Sequence, residues 1–245
     1  MTWLIWSDPV GRPGPDNMAI DEALMADANR SGRAWLRFYC WSPPCLSLGR
    51  NEPALARYDR EKIDRLNVAV VRRPTGGRAV WHDQEVTYAV AAPLATFGSL
   101  GAAYRAIHER LAAALRRLGA PVELAAPGRA LPGNGSCFAA PVGGEILVGG
   151  RKLVGSAQVQ RGRAFLQHGS ILLDGSQDVV RAVGRRPSAV RGETTVREAL
   201  GRPVTFGEIT GALREAWDDA TVTSLRVPSR PSPAVFADPV WTWRR

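Results

Sequence analysis

The sequence has 245 residues, 45% of them hydrophobic and 22% charged, values that are typical of a globular chain with a core of its own. Its first six residues are apolar but have no basic segment before them and stop at Asp8, so we expect neither a signal peptide nor a membrane span and predict a cytoplasmic protein. The formal net charge of +9 favours acidic partners.

Hydrophobic periodicity predicts helices and strands in an irregular order. The first helix is expected over residues 16–30, with Asp16 or Asn17 as its N-cap. Further helices are predicted over residues 58–66, 100–118, 195–200 and 206–217. Strands are predicted over residues 33–41, 45–48, 68–71, 79–82, 86–92, 145–148, 152–160 and 164–173. This order indicates an α+β fold with mixed or antiparallel sheets flanked by helices.

The chain shows no internal repeat and no linker composition. We therefore expect one domain over residues 1–245, with a proline-rich tail that is strapped down from about residue 227. Residues 127–144 are rich in glycine and proline and are predicted to form a loop, which contains Cys137. Loops of this composition are either linkers or sites.

Three cysteines, Cys40, Cys45 and Cys137, make an odd number, which argues against a disulfide framework. Cys40 and Cys45 are too far apart in sequence for a zinc knuckle, and no two of the three histidines have ligand spacing. We therefore predict no metal site.

Lys152 is the first candidate for chemistry, because only two of the 32 basic residues are lysines. A lysine provides a compact ammonium with rotatable donors, whereas arginine is a fixed planar cation. Such an ammonium near Cys137 would lower the pKa of the thiol and would stabilise a tetrahedral oxyanion together with backbone N–H groups. The alternatives are a solvated lysine at a hairpin turn and an inert buried thiol. The other lysine, Lys62, has the pattern of helix surface.

A second candidate is the glycine loop of residues 74–77, which is flanked by Arg73 and Arg78. A loop without side chains lets backbone N–H groups approach a ligand, and the arginines are suited to an anion or an acidic partner. The alternative is a tight turn with solvated arginines. For His82 and His168, packing within strands is preferred to catalysis.

These segments, with residues 17–22 and 48–52, resemble the lipoate-protein ligase and octanoyltransferase superfamily from about residue 16 to about residue 174. The resemblance implies a biotin/lipoate protein ligase catalytic fold. It is strongest to the cysteine-dependent octanoyltransferases, because the chain has Cys137 followed by Phe138 and has Arg78 where ligases usually have a third glycine. The chain departs from that pattern after Phe138, where Gly144 precedes Glu145 in place of tyrosine.

The resemblance implies an acyltransferase that moves the octanoyl group from octanoyl-acyl carrier protein to a thioester on Cys137. The group then passes to a lysine of a lipoyl domain or a glycine-cleavage H-type protein. In this family the lysine matching Lys152 contacts the acyl carbonyl, and no cofactor or metal is needed. The substrate-binding residues that we predict are Arg73, Thr75, Gly76, Gly77, Arg78, Ala79, Val80, His82, Gly155, Ser156, Ala157, His168 and Gly169.

Two other functions stay open. An ATP-dependent lipoate-protein ligase, or its catalytic half acting with a separate small protein, would use ATP and Mg²⁺ and would make Cys137 incidental. A basic nucleic-acid-binding module is favoured only by the charge, because the arginines are scattered and no recognition motif is present. We therefore expect no nucleic-acid or membrane partner.

Overall fold

The computed structural model describes residues 3–126, 143–186, 191–217 and 232–244. Their strands are β1 Trp3–Arg12, β2 Ala34–Trp41, β3 Cys45–Leu48, β4 Ala69–Arg72, β5 Val80–His82, β6 Glu85–Pro93, β7 Glu123–Leu124, β8 Ile146–Val148, β9 Arg151–Arg161 and β10 Ala164–Leu172. Their helices are α1 Gly14–Ser31, α2 Ala54–Arg57, α3 Arg60–Arg65, α4 Leu100–Arg117, α5 Asp178–Ala182, α6 Val196–Leu200, α7 Phe206–Glu215, α8 Ala234–Ala237 and α9 Pro239–Trp243. None of these helices is both long enough and apolar enough to cross a lipid bilayer.

The described strands form two sheets. The larger has the order β1-β2-β6-β10-β9-β8-β7, and the smaller has the order β4-β3-β5. The pairs β1–β2 and β3–β4 are parallel, whereas the other pairs are antiparallel. This arrangement confirms the α+β expectation of mixed sheets flanked by helices.

Strand β1 was not predicted from the sequence. Trp3 and Ile5 pack into the core cluster that contains α4 and α7, while Leu4 and Trp6 belong to the cluster beside α1. Because both faces of β1 are covered over residues 3–6, these four residues are all apolar and show no alternation. Such a run has no strand signature of its own.

Helix α1 begins two residues earlier than expected. Pro13 is its N-cap and has no side-chain cap hydrogen bond, so the expectation that Asp16 or Asn17 caps the helix was wrong. Asn17 lies inside the helix, fully buried, and its amide donates to the carbonyl oxygens of Arg12 and Cys40, both at 3.2 Å. The residue thus ties α1 to the edge of β2.

The large sheet is covered on both faces. Helix α1 contacts β2, β6 and β10 on one face, and α4 packs with α7 and contacts β9 on the other. On α4, Ile107, Leu111 and Leu115 are buried at helical spacing, as the apolar periodicity predicted. Ser99 accepts a hydrogen bond from Ala102 N and caps the helix.

The described end of the tail is held against the small sheet. Trp241 Nε1 donates to Arg72 O at 2.8 Å, and Arg72 Nε donates to Thr242 O at 2.8 Å. Phe236 is buried in the cluster beside α1. Over residues 232–244 the chain is attached to the fold through two short helices that the sequence pattern did not predict.

Candidate active site

A pocket lies between the small sheet and the face of the large sheet that carries α1. The space between its lining atoms is about 330 Å³, a volume that includes the open solvent at its mouth. The predicted substrate-binding residues that line it are Arg73, Val80, His82, Gly155, Ser156, Ala157, His168 and Gly169. Thr75, Gly76, Gly77, Arg78 and Ala79 are not among its lining residues. The lining residues that were not predicted are Met18, Tyr39, Trp41, Ser47, Thr87 and Ser170.

Polar groups in the pocket wall are paired with one another. The ring of Trp41 stacks on His82 with centroids 4.0 Å apart, and Trp41 Nε1 donates to Thr87 Oγ1 at 2.7 Å. The two ring nitrogens of His82 lie 2.7 Å from Glu85 Oε1 and 2.7 Å from Ser47 Oγ. Because these polar atoms are already satisfied, the wall can present ring faces to an apolar ligand.

Arg73 holds the glycine loop in place. Its guanidinium donates to Gly76 O and Arg78 O, both at 2.7 Å, and to Ser47 O at 3.0 Å. The residue is only 4% exposed, so a solvated role for Arg73 is wrong. Its donors are used by backbone carbonyls of the loop and of β3.

Gly77 makes the close approach of this loop possible. It has a φ of +87°, a left-handed conformation that favours glycine. Opposite it, a Cβ on Gly49 would lie 1.9 Å from Gly77 O. The two glycines therefore let the loop meet the end of β3, and Arg50 N donates to Thr75 O at 2.8 Å beside them.

His168 joins the loop to α1. Its Nδ1 lies 2.9 Å from Asp21 Oδ2, and its Nε2 lies 2.6 Å from Thr75 Oγ1. Burial lowers the pKa of His168, so the ring is neutral near pH 7. Since a carboxylate only accepts, the proton sits on Nδ1, and the Thr75 hydroxyl donates to Nε2. His168 thus packs within its strand, as preferred, but as part of a polar network.

The centre of that network was not predicted. Arg37 is fully buried and donates to Asp21 Oδ1 at 2.9 Å, to Asp8 Oδ2 at 3.1 Å and to Asn17 Oδ1 at 2.7 Å. Tyr39 OH donates to Asp21 Oδ2 at 2.8 Å. Asn17 and Asp21 are four residues apart and share one face of α1, a spacing that marks them as partners for a charge on β2. Together these residues hold α1 against the pocket wall.

Lys152 is buried in β9, which excludes the alternative of a solvated lysine at a hairpin turn. Its side chain is 1% exposed and forms an ion pair with Glu145, whose side chain is 4% exposed. The β8–β9 register shifts between Ile146 and Leu147, and the consecutive residues Leu153 and Val154 both enter the core cluster that contains α4. Such a bulge reverses the alternation, so Lys152 lies on the other face of β9 from Val154, but it is not among the residues that line the pocket.

His108 on α4 was not predicted either. Its Nδ1 donates to Gly144 O at 2.6 Å, and its Nε2 lies 2.9 Å from Ser156 Oγ. Burial and the charge of Lys152 lower the pKa of His108 to about 4, although the Gly144 hydrogen bond opposes this. The helical spacing of α4 is consistent with a buried His108, but no sequence pattern indicates its hydrogen-bond partners Gly144 and Ser156.

Cys137 lies outside the described residues, and its role stays a prediction. Burial raises the pKa of Cys40 and raises the pKa of Cys45 to about 12, so neither of the two cysteines that the structure describes carries a thiolate near neutral pH. Within the described ranges, no group of three histidine, cysteine or acidic side chains is arranged to hold a metal ion.

Comparisons with family models, curated proteins and solved structures agree with one another. The lipoyl protein ligase A/B catalytic domain model matches residues 13–218. The octanoyltransferase LipM of Moorella thermoacetica is 44% identical over 85% of the chain and 82% of that protein, and LipM of Symbiobacterium thermophilum is 40% identical over 80% and 78%. A crystal structure of lipoate-protein ligase A bound with ATP superposes with a TM-score of 0.79 and 22% identity, covering 99% of each chain, which shows the fold.

Proposed function

The chain belongs to the lipoyl protein ligase A/B catalytic-domain family and is an octanoyltransferase of lipoate biosynthesis, and we propose that it works through a thioester on Cys137. The donor is octanoyl-acyl carrier protein, and the acceptor is a lysine of a lipoyl domain or of a glycine-cleavage H-type protein. No ATP, metal or other cofactor is needed, because the donor thioester is already activated.

The observation that carries this proposal is the buried ammonium of Lys152 on β9, a strand that also lines the pocket. Three residues further along the same strand, Gly155 lines the pocket. A buried ammonium lowers the pKa of a thiol placed beside it and stabilises the oxyanion of a tetrahedral intermediate. The pocket, with its paired polar groups, offers the acyl chain a surface of rings and small side chains.

Two transfers complete the reaction. The Cys137 thiolate attacks the carbonyl carbon of the donor thioester, and the carrier thiolate leaves and takes up a proton. The neutral amine of the acceptor lysine then attacks the Cys137 thioester, an amide forms, and the amine proton returns to the Cys137 thiolate. Lys152 stabilises the oxyanion in both steps and keeps its own proton.

Basic residues next to the glycine loop support an acidic protein partner. Arg244 donates to Arg50 O at 2.7 Å, Arg50 N donates to Thr75 O in the loop, and Arg78 O accepts from the Arg73 guanidinium. Neither the Arg50 nor the Arg78 side chain forms an ion pair within the described part of the chain. With the net charge of +9, this cluster favours a negatively charged carrier or acceptor domain.

The test is the mass of the purified protein after incubation with octanoyl-acyl carrier protein and no nucleotide. The expected result is one added octanoyl group that hydroxylamine removes and that an acceptor lipoyl domain discharges. Cys137→Ala should give neither adduct nor transfer, while Cys40→Ala and Cys45→Ala should give both. If Cys137→Ala attaches lipoate at full rate once ATP is supplied, the ligase alternative replaces this proposal.

The two lysines of the chain provide a matched second test. Lys152→Arg should lose most of the transfer activity and keep the fold, because a planar guanidinium does not fit a buried site built for an ammonium. Lys62→Arg should keep both. Near-normal transfer by Lys152→Arg would show that a specific ammonium is not required.

A further inference from the structure

The charge on Lys152 depends on a buried partner. Moving an ammonium out of water favours its neutral form unless an opposite charge accompanies it. Glu145 provides that charge from the residue just before β8, two positions before Leu147, which pairs with Lys152 across the ladder. The two side chains meet diagonally on one face of the sheet.

The backbone that carries Glu145 is fixed from several directions. Gly144 N donates to Ala125 O at 2.8 Å, and Ala125 N donates to Glu145 O at 2.8 Å. Gly144 O accepts the 2.6 Å hydrogen bond from His108 Nδ1. Gly144 has a φ of +84°, which glycine adopts without strain. The peptide between Gly144 and Glu145 is therefore held by His108 of α4, and the peptides on either side of it are held by Ala125, the residue after β7.

His108 in turn has one possible proton arrangement. A carbonyl oxygen only accepts, and the ring is neutral near pH 7, so Nδ1 carries the proton and Nε2 accepts from the Ser156 hydroxyl. Tyr88 OH, 2.7 Å from Ser156 Oγ, must then donate to it. Gln167 Nε2 donates to Tyr88 OH at 2.8 Å. Every donor in this chain has a defined acceptor.

We propose that Glu145 is a positioning residue that keeps Lys152 charged and holds its ammonium in place on β9, and that His108 fixes Glu145 through the carbonyl of Gly144. The inference deepens the proposed function, because it assigns the groups behind its ammonium. Ser156 links the two parts of this assembly, since it lines the pocket and also donates to His108. A change in this hydrogen-bond chain is therefore transmitted to Glu145 and from there to Lys152.

The test uses the small number of lysines. With ¹⁵N-lysine labelling, only Lys62 and Lys152 give side-chain nitrogen signals, and Lys62→Arg assigns them. In Glu145→Gln the Lys152 ammonium should lose its proton about one pH unit or more below the wild-type protein, and Glu145→Asp should fall between the two. The Lys62 signal should not change and serves as an internal control. Identical Lys152 titrations in wild type and Glu145→Gln would overturn the proposal.

The second half concerns His108. His108→Asn places an amide N–H where Nδ1–H lies, whereas His108→Leu fills the site without a donor. The Lys152 titration should stay near wild type in His108→Asn and shift down in His108→Leu, by less than in Glu145→Gln. Equal behaviour of the two His108 variants would show that its hydrogen bond to Gly144 has no such role.

Kinetics complete the test. Glu145→Gln should lower kcat of octanoyl transfer by about tenfold or more with KM within about twofold, because the acyl pocket is unchanged. If kcat falls only in proportion to thermal stability and the Lys152 titration does not shift, Glu145 has a merely structural role. If the wild-type protein forms no octanoyl adduct, the proposed function is wrong, while the nitrogen titration still decides the role of Glu145.

Discussion

The two faces of the large sheet bury polar groups of different kinds. On the α1 face, Arg37 forms ion pairs with Asp8 and Asp21. On the α4 face, Tyr88, Ser156 and their neighbours form a chain of neutral hydrogen bonds. A charged network loses a whole counter-ion when one member is removed, whereas a neutral chain loses only hydrogen bonds. The faces should therefore differ in their sensitivity to substitution.

Each network contains one neutral histidine with its proton on Nδ1. His168 donates to the carboxylate of Asp21 and accepts from Thr75, whereas His108 donates to the carbonyl of Gly144 and accepts from Ser156. The same tautomer thus fixes the glycine loop on one face and the backbone before β8 on the other. Pocket geometry and Lys152 geometry depend on different chemistry.

The largest effect should follow from Arg37→Met, which removes the cation between two buried aspartates. We expect the free energy of unfolding to fall by about 3–5 kcal/mol, because Asp21 keeps Tyr39 and His168 as donors but loses its only described ion pair with an arginine. Urea denaturation followed by tryptophan fluorescence measures it. Arg30→Met is the matched control, since Arg30 is 73% exposed in its pair with Asp27 and should change stability by less than about 1 kcal/mol. Equal losses would show that the charged network is not special.

Low pH should reduce the stability of the hydrogen-bond chain on the α4 face through protonation of His108. Its folded pKa of about 4 lies below the ordinary 6.5, so the unfolded chain binds the proton more readily. This contribution to stability is complete above pH 6.5 and is lost as the pH falls toward 4, by about 3 kcal/mol in all. Tyr104 and Tyr88 contact the ring, the charge of Lys152 acts on it from a distance, and Glu145 follows the Gly144 carbonyl that accepts from it.

Urea denaturation between pH 7 and pH 4 checks this expectation. His108→Asn has no group that titrates there and should lose less stability than wild type over the same window. His168, whose pKa is also lowered by burial, is present in both proteins and cancels in the comparison. Parallel stability curves for the two proteins would remove His108 as a source of acid sensitivity.

Substitution of one buried tyrosine on each face of the large sheet allows the two networks to be compared directly. Tyr39 donates to the carboxylate of Asp21, and Tyr88 donates to the hydroxyl of Ser156. Hydrogen bonds to charged groups contribute more than neutral ones, so Tyr39→Phe should cost about 2 kcal/mol and Tyr88→Phe about 1 kcal/mol in chemical denaturation. The reverse order would mean that the chain through Tyr88 is strongly cooperative.

The two polar networks differ in how much of each could be predicted from the sequence. The glycine loop, the strands around it and several lining residues were predictable, because glycine pairs and apolar periodicity act locally. Arg37, Asp8 and Asp21 were missed because charged residues are normally predicted to lie on the surface. They become buried only when the fold brings α1 against β1 and β2. The partners of His108 could not be predicted, since a hydrogen bond to Gly144 depends on tertiary packing. Lys152 was predicted as a candidate because of its residue type. Its burial could not be predicted, because it depends on a β-bulge that has no local sequence pattern.

The smallest effect should come from Thr75, where the charged network reaches the glycine loop. Its side chain is fully buried, and its hydroxyl donates to His168 Nε2. Thr75→Val keeps the shape but leaves that nitrogen without a donor, so we expect a loss of about 1 kcal/mol in chemical denaturation, and Thr75→Ser should recover most of it. Because Thr75 does not line the pocket, KM for octanoyl-acyl carrier protein should change by less than about twofold in Thr75→Val. A large rise in KM with unchanged stability would instead make Thr75 a substrate-binding residue, as the sequence had predicted.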